Sequence, residues 1–473
     1  MSVQLVSTDD SISSLPDDVL GKVLSLLPTN QAASTSVLSK RWRNLFHLVD
    51  SLYLSDDATR DPLGFPDLVE KTLSLFRNKI KTLSLRSKHK HYSYDWIYTV
   101  LLSSFTELHL ESSVYHIIGI ENLASNTLVK LTISHGFCLA GYYPFAPGHV
   151  PFPNLKTLSL ILSAGFGIPE MYGHLISDCP VLEELLVRYD PCSDFGCTVF
   201  SSSVAVLNPC VKRLTFSCPF RCYLDHILGQ VFRTPGLVYL DYSSFVSRLY
   251  HVDHMSSLVE ARLDILMEPL LDDDDSEDDG GDILPDVTNL VAGISNVKTL
   301  HLSSDSLEVF HLYCKSMPVF HKLLTLSFES HKERGWQVVP LLLNNSPNLE
   351  TLVIKGLVHQ VTSACVCTAR KKKKKIMKGK VCCLSTCQVK VLKVLGYGGT
   401  KRELNQMKHF LGNLKCLETV KVGVKSLNRV EDNNVSKTCQ RIINALNKDY
   451  HQRIINALTK LPRASSSCQI HFF

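Results

Sequence analysis

Residues 154–160 read NLKTLSL, residues 181–187 VLEELLV and residues 348–354 NLETLVI. Each holds one six-residue figure, apolar-x-x-Leu-x-apolar: Leu155, Leu158, Leu160; Leu182, Leu185, Val187; Leu349, Leu352, Ile354. The figure starts again at Ile80, Phe105, Leu128, Val211, Leu237, Leu258, Val297, Leu323, Val389 and Leu417. Ala261 or Val420 replaces the central leucine in two of these, and Val49, Leu52, Leu54 fit as well. Alternation of apolar and other side chains over the last residues of each figure predicts a short strand with one face inward.

Most starts lie about 21 to 31 residues apart, close to the roughly 20–29 residue period of leucine-rich repeats. One such unit cannot bury its apolar face alone, so neighbours must stack. The fold class expected is α/β: a curved solenoid, mainly parallel sheet on the concave face, with helices and loops outside. Several units open on a turn-like pair, Pro153-Asn154, Cys179-Pro180 or Pro347-Asn348, and Cys179 reads as a core thiol. The intervals Leu258 to Val297 and Leu349 to Val389 are each about 40 residues, too long by roughly a dozen. They hold MEPLLDDDDSEDDGGD (Met267 to Asp282) and ARKKKKKIMKGK (Ala369 to Lys380). Insertions in repeat proteins map to loops, and like-charge blocks repel themselves, so both read as disordered excursions, near 267–282 and 365–383.

The totals agree with an extended folded array. The chain has 473 residues, 45% hydrophobic and 20% charged, with a formal net charge of +5. That charge is too small for this length to indicate a partner. The N-terminal MSVQLVSTDD has neither the basic nor the apolar region of a signal peptide, and no run of about 18 apolar residues exists. With no route to an oxidising compartment, the 16 cysteines are expected as free thiols. A cytoplasmic or nuclear location is the corresponding expectation.

Residues 11–49 have a different grammar. Pro16 suits a first helical turn, Asp17 and Asp18 favour its positive end, and Val19, Leu20, Val23, Leu24 and Leu27 follow helical spacing up to Pro28. Thr29 is expected to cap a second helix, and Ser39 a third that carries Trp42, Leu45, Phe46 and Val49. Leu15, Leu20, Val23, Leu24, Leu26 and Leu27 are more apolar groups than a bundle of about 40 residues can cover. Some must bury against the next repeat and some against a partner.

The string SLPDDVLGKVLSLLPT, followed by TSVLSKRWRNL, resembles the F-box of plant F-box/FBD/leucine-rich-repeat proteins. DVTNLVAGISNVKTLHLS (Asp286 to Ser303), GYGGTKRELNQMKHFLGNLKCLETVKV (Gly396 to Val422) and LPRASSSCQIHF (Leu461 to Phe472) are similar to the later repeats and C-terminal FBD region of that family. The resemblance implies an F-box over 9–50, a repeat solenoid over 51–388 and an FBD domain over 389–473. It implies that Leu15, Pro16, Leu20, Val23, Leu27, Val37 and Trp42 hold adaptor-binding or F-box scaffold positions. The partners it implies are a Skp-type adaptor, a cullin reached through it, and a target protein held by the repeats. Val19 and Val23 stand where longer aliphatics are common in the family. QRIINAL at Gln440–Leu446 recurs at Gln452–Leu458, an offset of about 3.3 helical turns, so both copies cannot share one face of a straight helix. Either the helix breaks near Asn447–Tyr450 or one copy is exposed.

Other chemistries fit less well. Cys365, Cys367, Cys382, Cys383 and Cys387 surround the lysine run, but C-x-C and C-C are poor zinc pairs. Gly396–Lys401 (GYGGTK) lacks the phosphate-loop layout and reads as a strand-to-helix turn that needs glycine at positive φ. Lys371–Lys375 could serve nuclear import or phosphate contact, yet no aromatics interleave it, so nucleic acid is not the expected partner. No catalytic set, metal site or cofactor is assigned. The sequence supports a non-catalytic substrate-recognition subunit of a ubiquitin ligase. The alternative is a leucine-rich-repeat scaffold whose N-terminal helices merely cap the array.

Overall fold

A computed structural model describes residues 12, 14–58, 64–76, 80–89, 95–101, 103–119, 124–140, 150–163, 169–190, 205–219, 229–253, 255–267, 284–360, 383–425 and 437–473. The two charged insertions fall at 268–283 and 361–382, outside the described residues. The chain divides into two compact units, Met1–Val211 and Lys212–Phe473.

The first unit opens with α1 (Asp17–Ser25), α2 (Thr29–Ser34) and α3 (Lys40–Leu45), with 3-10 turns at Thr35–Val37 and Phe46–Leu48. Six strands follow: β1 (Ser51–Ser55), β2 (Thr82–Ser87), β3 (Glu107–Gly119), β4 (Lys130–Ala140), β5 (Thr157–Ser163) and β6 (Glu184–Asp190). Helices α4 (Phe65–Leu75), α5 (Asp95–Leu101) and α6 (Pro169–Ser177) return the chain between strands. All five pairings from β1 to β6 are parallel, and the central leucines align as Leu52, Leu83, Leu108, Leu131, Leu158, Leu185. That alignment is what a fixed repeat demands, because a one-residue slip would turn every leucine to the wrong face.

The second unit holds β7 (Arg213–Cys218), β8 (Gln230–Phe232), β9 (Tyr239–Phe245), β10 (Tyr250–Val252), β11 (Glu260–Leu266), β12 (Thr299–Leu302), β13 (Thr325–Glu329), β14 (Thr351–Lys355), β15 (Val391–Tyr397), β16 (Thr419–Val424) and β17 (Gln469–Phe472). β8 and β10 form a separate parallel pair. The remaining strands run parallel in chain order with Leu214, Leu240, Ala261, Leu300, Leu326, Leu352, Leu392, Val420 and Ile470 in register. Between them lie α7 (Thr288–Gly293), α8 (Ser304–Tyr313), α9 (Val339–Asn344), α10 (Cys383–Thr386), α11 (Lys401–Asn413) and α12 (Lys437–Thr459). The ladder crosses position 389 without a change of direction, since Val391 aligns with Thr351 and Thr419.

Every residue of the repeated figure, from Val49 to Val422, is buried. Ala261 is as fully buried as the leucines it aligns with, and Phe216, Phe232, Tyr242 and Tyr250 form an aromatic cluster in the same unit, with Phe216 and Tyr242 stacked at 5.6 Å. Cys179 is wholly buried, donates its thiol to the Leu175 carbonyl at 3.2 Å, and burial pushes it up to about 12, the nearby Asp178 charge adding to the effect. GYGGTK is the strand-to-helix turn between β15 and α11: Gly396 and Gly399 have φ of 68° and 64°, and Thr400 and Glu403 make a reciprocal capping box. α12 is one continuous helix, so the duplication causes no break. In the second copy, Ile454 and Leu458 are buried one turn apart, and Ile454 lies against Gly399. The side chains of the first copy lie outside the described residues.

Candidate functional site

The N-terminal helices have an inner and an outer apolar set. Leu20, Leu24, Ala32, Leu45 and Val49 are buried and make the inner one. Gly21 admits the Phe46–Leu48 turn, since a Cβ there would stand 2.9 Å from the Leu48 Cβ. Three polar ties fix the geometry. Arg41 of α3 reaches Asp17 at 2.6 Å and the Leu15 carbonyl, holding α3 to the start of α1. Ser25 accepts from the Asp50 amide at 3.1 Å, and Thr29 accepts from the Tyr53 amide at 2.7 Å. Phe46 meets Phe76 of the first repeat edge-on at 5.3 Å. These bonds seat the helices on β1 and α4.

The outer set is open. On α1 and its C-cap, Val19, Val23 and Leu26 follow i, i+4, i+7 spacing, 42%, 43% and 85% exposed. At the turn between α2 and α3, Val37 is 85% and Leu38 66% exposed. A water-facing helix normally carries polar groups at such positions, and grouped aliphatics on a soluble surface mark a docking site. Of the ionisable groups here, Asp17 and Arg41 pair with each other, and Asp18, Lys22, Lys40 and Arg43 are exposed. The arrangement can bury an apolar partner surface.

Of the residues singled out by sequence, Val23 and Val37 reach this open surface, Pro16 is exposed ahead of α1, and Leu15, Leu27 and Trp42 are half-buried. Leu20 is sealed inside, so a charge at position 20 would break the helices themselves and could not report on docking alone. Thr29 does not cap α2. Pro28 takes the cap position and the Thr29 hydroxyl serves β1 instead, whereas Ser39 caps α3 through the Trp42 amide at 3.3 Å as expected. Leu26 was among the apolar groups expected to need a partner and Val19 was noted beside Val23, but neither was named as an adaptor-binding position, and Leu38 was not singled out at all.

A second buried feature was invisible in sequence. Asp56, wholly buried after β1, accepts from the amides of Lys88 at 2.8 Å and His89 at 2.9 Å and from the Ser87 hydroxyl at 3.1 Å. Burial pulls its pKa upward, but these donors outweigh it and hold the carboxyl below its usual value. It clamps the ends of β1 and β2 together. Among the described residues no three metal-ligating side chains cluster; Cys365, Cys367 and Cys382 lie outside them. No described helix is long and apolar enough to cross a membrane.

Helices with one apolar face turned to solvent, joined to in-register parallel ladders, define an F-box with leucine-rich repeats. The F-box domain family model matches residues 12–53. The chain is 52% identical to an F-box protein of Arabidopsis thaliana over 98% of each chain. It is 45% identical to an F-box/LRR-repeat protein of that plant over the whole of both chains, and 45% identical to a second over 98% of this chain and 99% of the relative. The chain belongs to the plant F-box/LRR-repeat protein family.

Proposed function

We propose that this protein is the substrate-recognition subunit of an SCF-type cullin–RING ubiquitin ligase, with no bond chemistry of its own. The observation that carries the reading is the open aliphatic surface of Val19, Val23, Leu26, Val37 and Leu38 beside a separately buried inner set. In this reading that surface, flanked by Leu15, Pro16, Leu27 and Trp42, docks a Skp-type adaptor, and Leu20 is its scaffold. A cullin joins through the adaptor, and the repeats hold a target protein near the charged carrier. Tethering then raises the local concentration of target lysines around the activated ubiquitin. We assign 9–50 to the F-box, 51–388 to the repeats and 389–473 to an FBD region, and place the protein in cytoplasm or nucleus.

Each aliphatic side chain fully buried on docking contributes about 1.5–3 kcal/mol before ordering costs. Val23→Asp with Val37→Asp should therefore abolish co-purification with a Skp-type adaptor while leaving the circular dichroism of the chain unchanged. Retention of the adaptor by a folded double variant refutes the proposal. It would favour the scaffold reading, in which these helices only close the end of the array.

A further inference from the structure

In the second unit the side chains of each strand that do not enter the core line one open face. Its last strands present a row in register: Val353 on β14, Lys393 on β15, Lys421 on β16 and His471 on β17. Lys393 and Lys421 are direct neighbours across a parallel pair, half-buried and exposed. Strands lie about 4.8 Å apart, so the two ammonium groups repel each other. Among the described residues neither has a carboxylate oxygen within 4 Å. Two neighbouring lysines do have partners: Lys355 pairs with Glu329 and Lys390 with Glu350, both at 2.7 Å. Earlier in the same unit Arg262 is taken by Glu260 at 2.9 Å. Repulsion is thus left standing between these two lysines, whereas Lys355, Lys390 and Arg262 each have a carboxylate partner.

Beside the lysines lies an apolar shelf. A Cβ on Gly423 would meet the Phe473 ring at 3.2 Å and Leu395 Cδ2 at 3.5 Å, so an aromatic and an aliphatic group stand together over a residue with no side chain. Phe473 is 65% exposed. We propose that this face of β14–β17 docks an extended acidic segment of a partner protein, its carboxylates on Lys393 and Lys421 and a bulky apolar side chain on the Leu395–Gly423–Phe473 shelf. Charge complementarity selects the occupant: two cations across adjacent strands, with no carboxylate partner among the described residues, match carboxylates a few ångströms apart. Two lysines flanked by Val353, Val391 and Leu395 suit a peptide better than a polyphosphate strand, which needs a longer basic track without aliphatic gaps. The proposal rests on the reading of the repeats as the target-holding half and names the chemistry of that target.

The test uses the full chain with its adaptor and a fluorescein-labelled heptapeptide of glutamates around a central tryptophan, followed by anisotropy. The wild-type protein is expected to bind it with salt-sensitive affinity, Lys393→Glu with Lys421→Glu to weaken it at least tenfold, and Phe473→Ala to weaken it severalfold. Lys401→Glu with Lys408→Glu, exposed on α11 away from this face, should change nothing. Equal loss in that control, no binding by the wild type, or stronger binding of a thymidine oligomer than of the peptide overturns the proposal. Binding that appears only after Asp272–Asp275 are changed to Asn assigns the face to this chain's own acidic run, and also overturns it. Adaptor co-purification read on the same variants keeps the two readings apart, because the lysine variants should retain the adaptor.

Discussion

Leu20→Ala separates the inner from the outer face of α1. The Leu20 side chain is wholly buried, and the substitution removes three methyl-sized groups from the packed set of Leu24, Ala32 and Leu45. At ~0.8 kcal/mol for each, the transfer loss is about 2.4 kcal/mol, and the hole left behind raises the total to about 3–4 kcal/mol. Val23→Ala on the same helix removes two groups from a side chain already 43% exposed and should cost less than about 1 kcal/mol. A chain of two units does not melt in one step, so the quantity to measure is local: amide exchange of the 17–25 segment in the full-length protein. A 3 kcal/mol loss corresponds to exchange about 150-fold faster, and 1 kcal/mol to about fivefold. If Leu20→Ala accelerates exchange no more than Val23→Ala does, α1 buries the opposite face and the docking surface is wrongly drawn.

Asp56→Asn should destabilise the β1–β2 end by about 1–3 kcal/mol, because buried amides lose a charged acceptor. The folded-state carboxyl titrates below its usual 3.8, so its contribution is present above that value and fades as pH falls through the lower one. Wild type and variant should therefore converge in an acid titration followed by exchange of 82–89; persistence of the gap at the lowest pH contradicts the clamp. Gly399→Ala should loosen α12 by about 1–3 kcal/mol, since φ is 64° and the new Cβ would stand 2.8 Å from Ile454 Cγ1. Gly412→Ala, in α11 with nothing within 4 Å, should stabilise by up to about 1 kcal/mol, and exchange in 401–413 gives the sign. Iodoacetamide on the native protein should label Cys210 and Cys416, which are exposed, and spare Cys179; peptide mass spectrometry reads the difference.

Sequence alone determined the ladders, because the spacing of three apolar positions per unit is a local property that forces a strand, a face and a register. The same local character made GYGGTK legible as a glycine turn and Ser39 as a cap. β17 escaped: Gln469–Phe472 pairs with β16 at the edge, where Ile470 and Phe472 are only half-buried, so no strong apolar figure is required there. The offset stripes on α1, Leu20–Leu24 and Val19–Val23–Leu26, are both apolar in sequence, and only packing against Leu45 and Val49 decided which one faces water. Asp56 acquired its partners across about 32 residues, when stacking brought Lys88 and His89 beside it. The lysine row exists for the same reason: Lys393 and Lys421 are 28 positions apart in the chain and become neighbours through strand pairing. Periodicity is written along the chain, whereas a docking surface is written across it and exists only after the repeats have stacked.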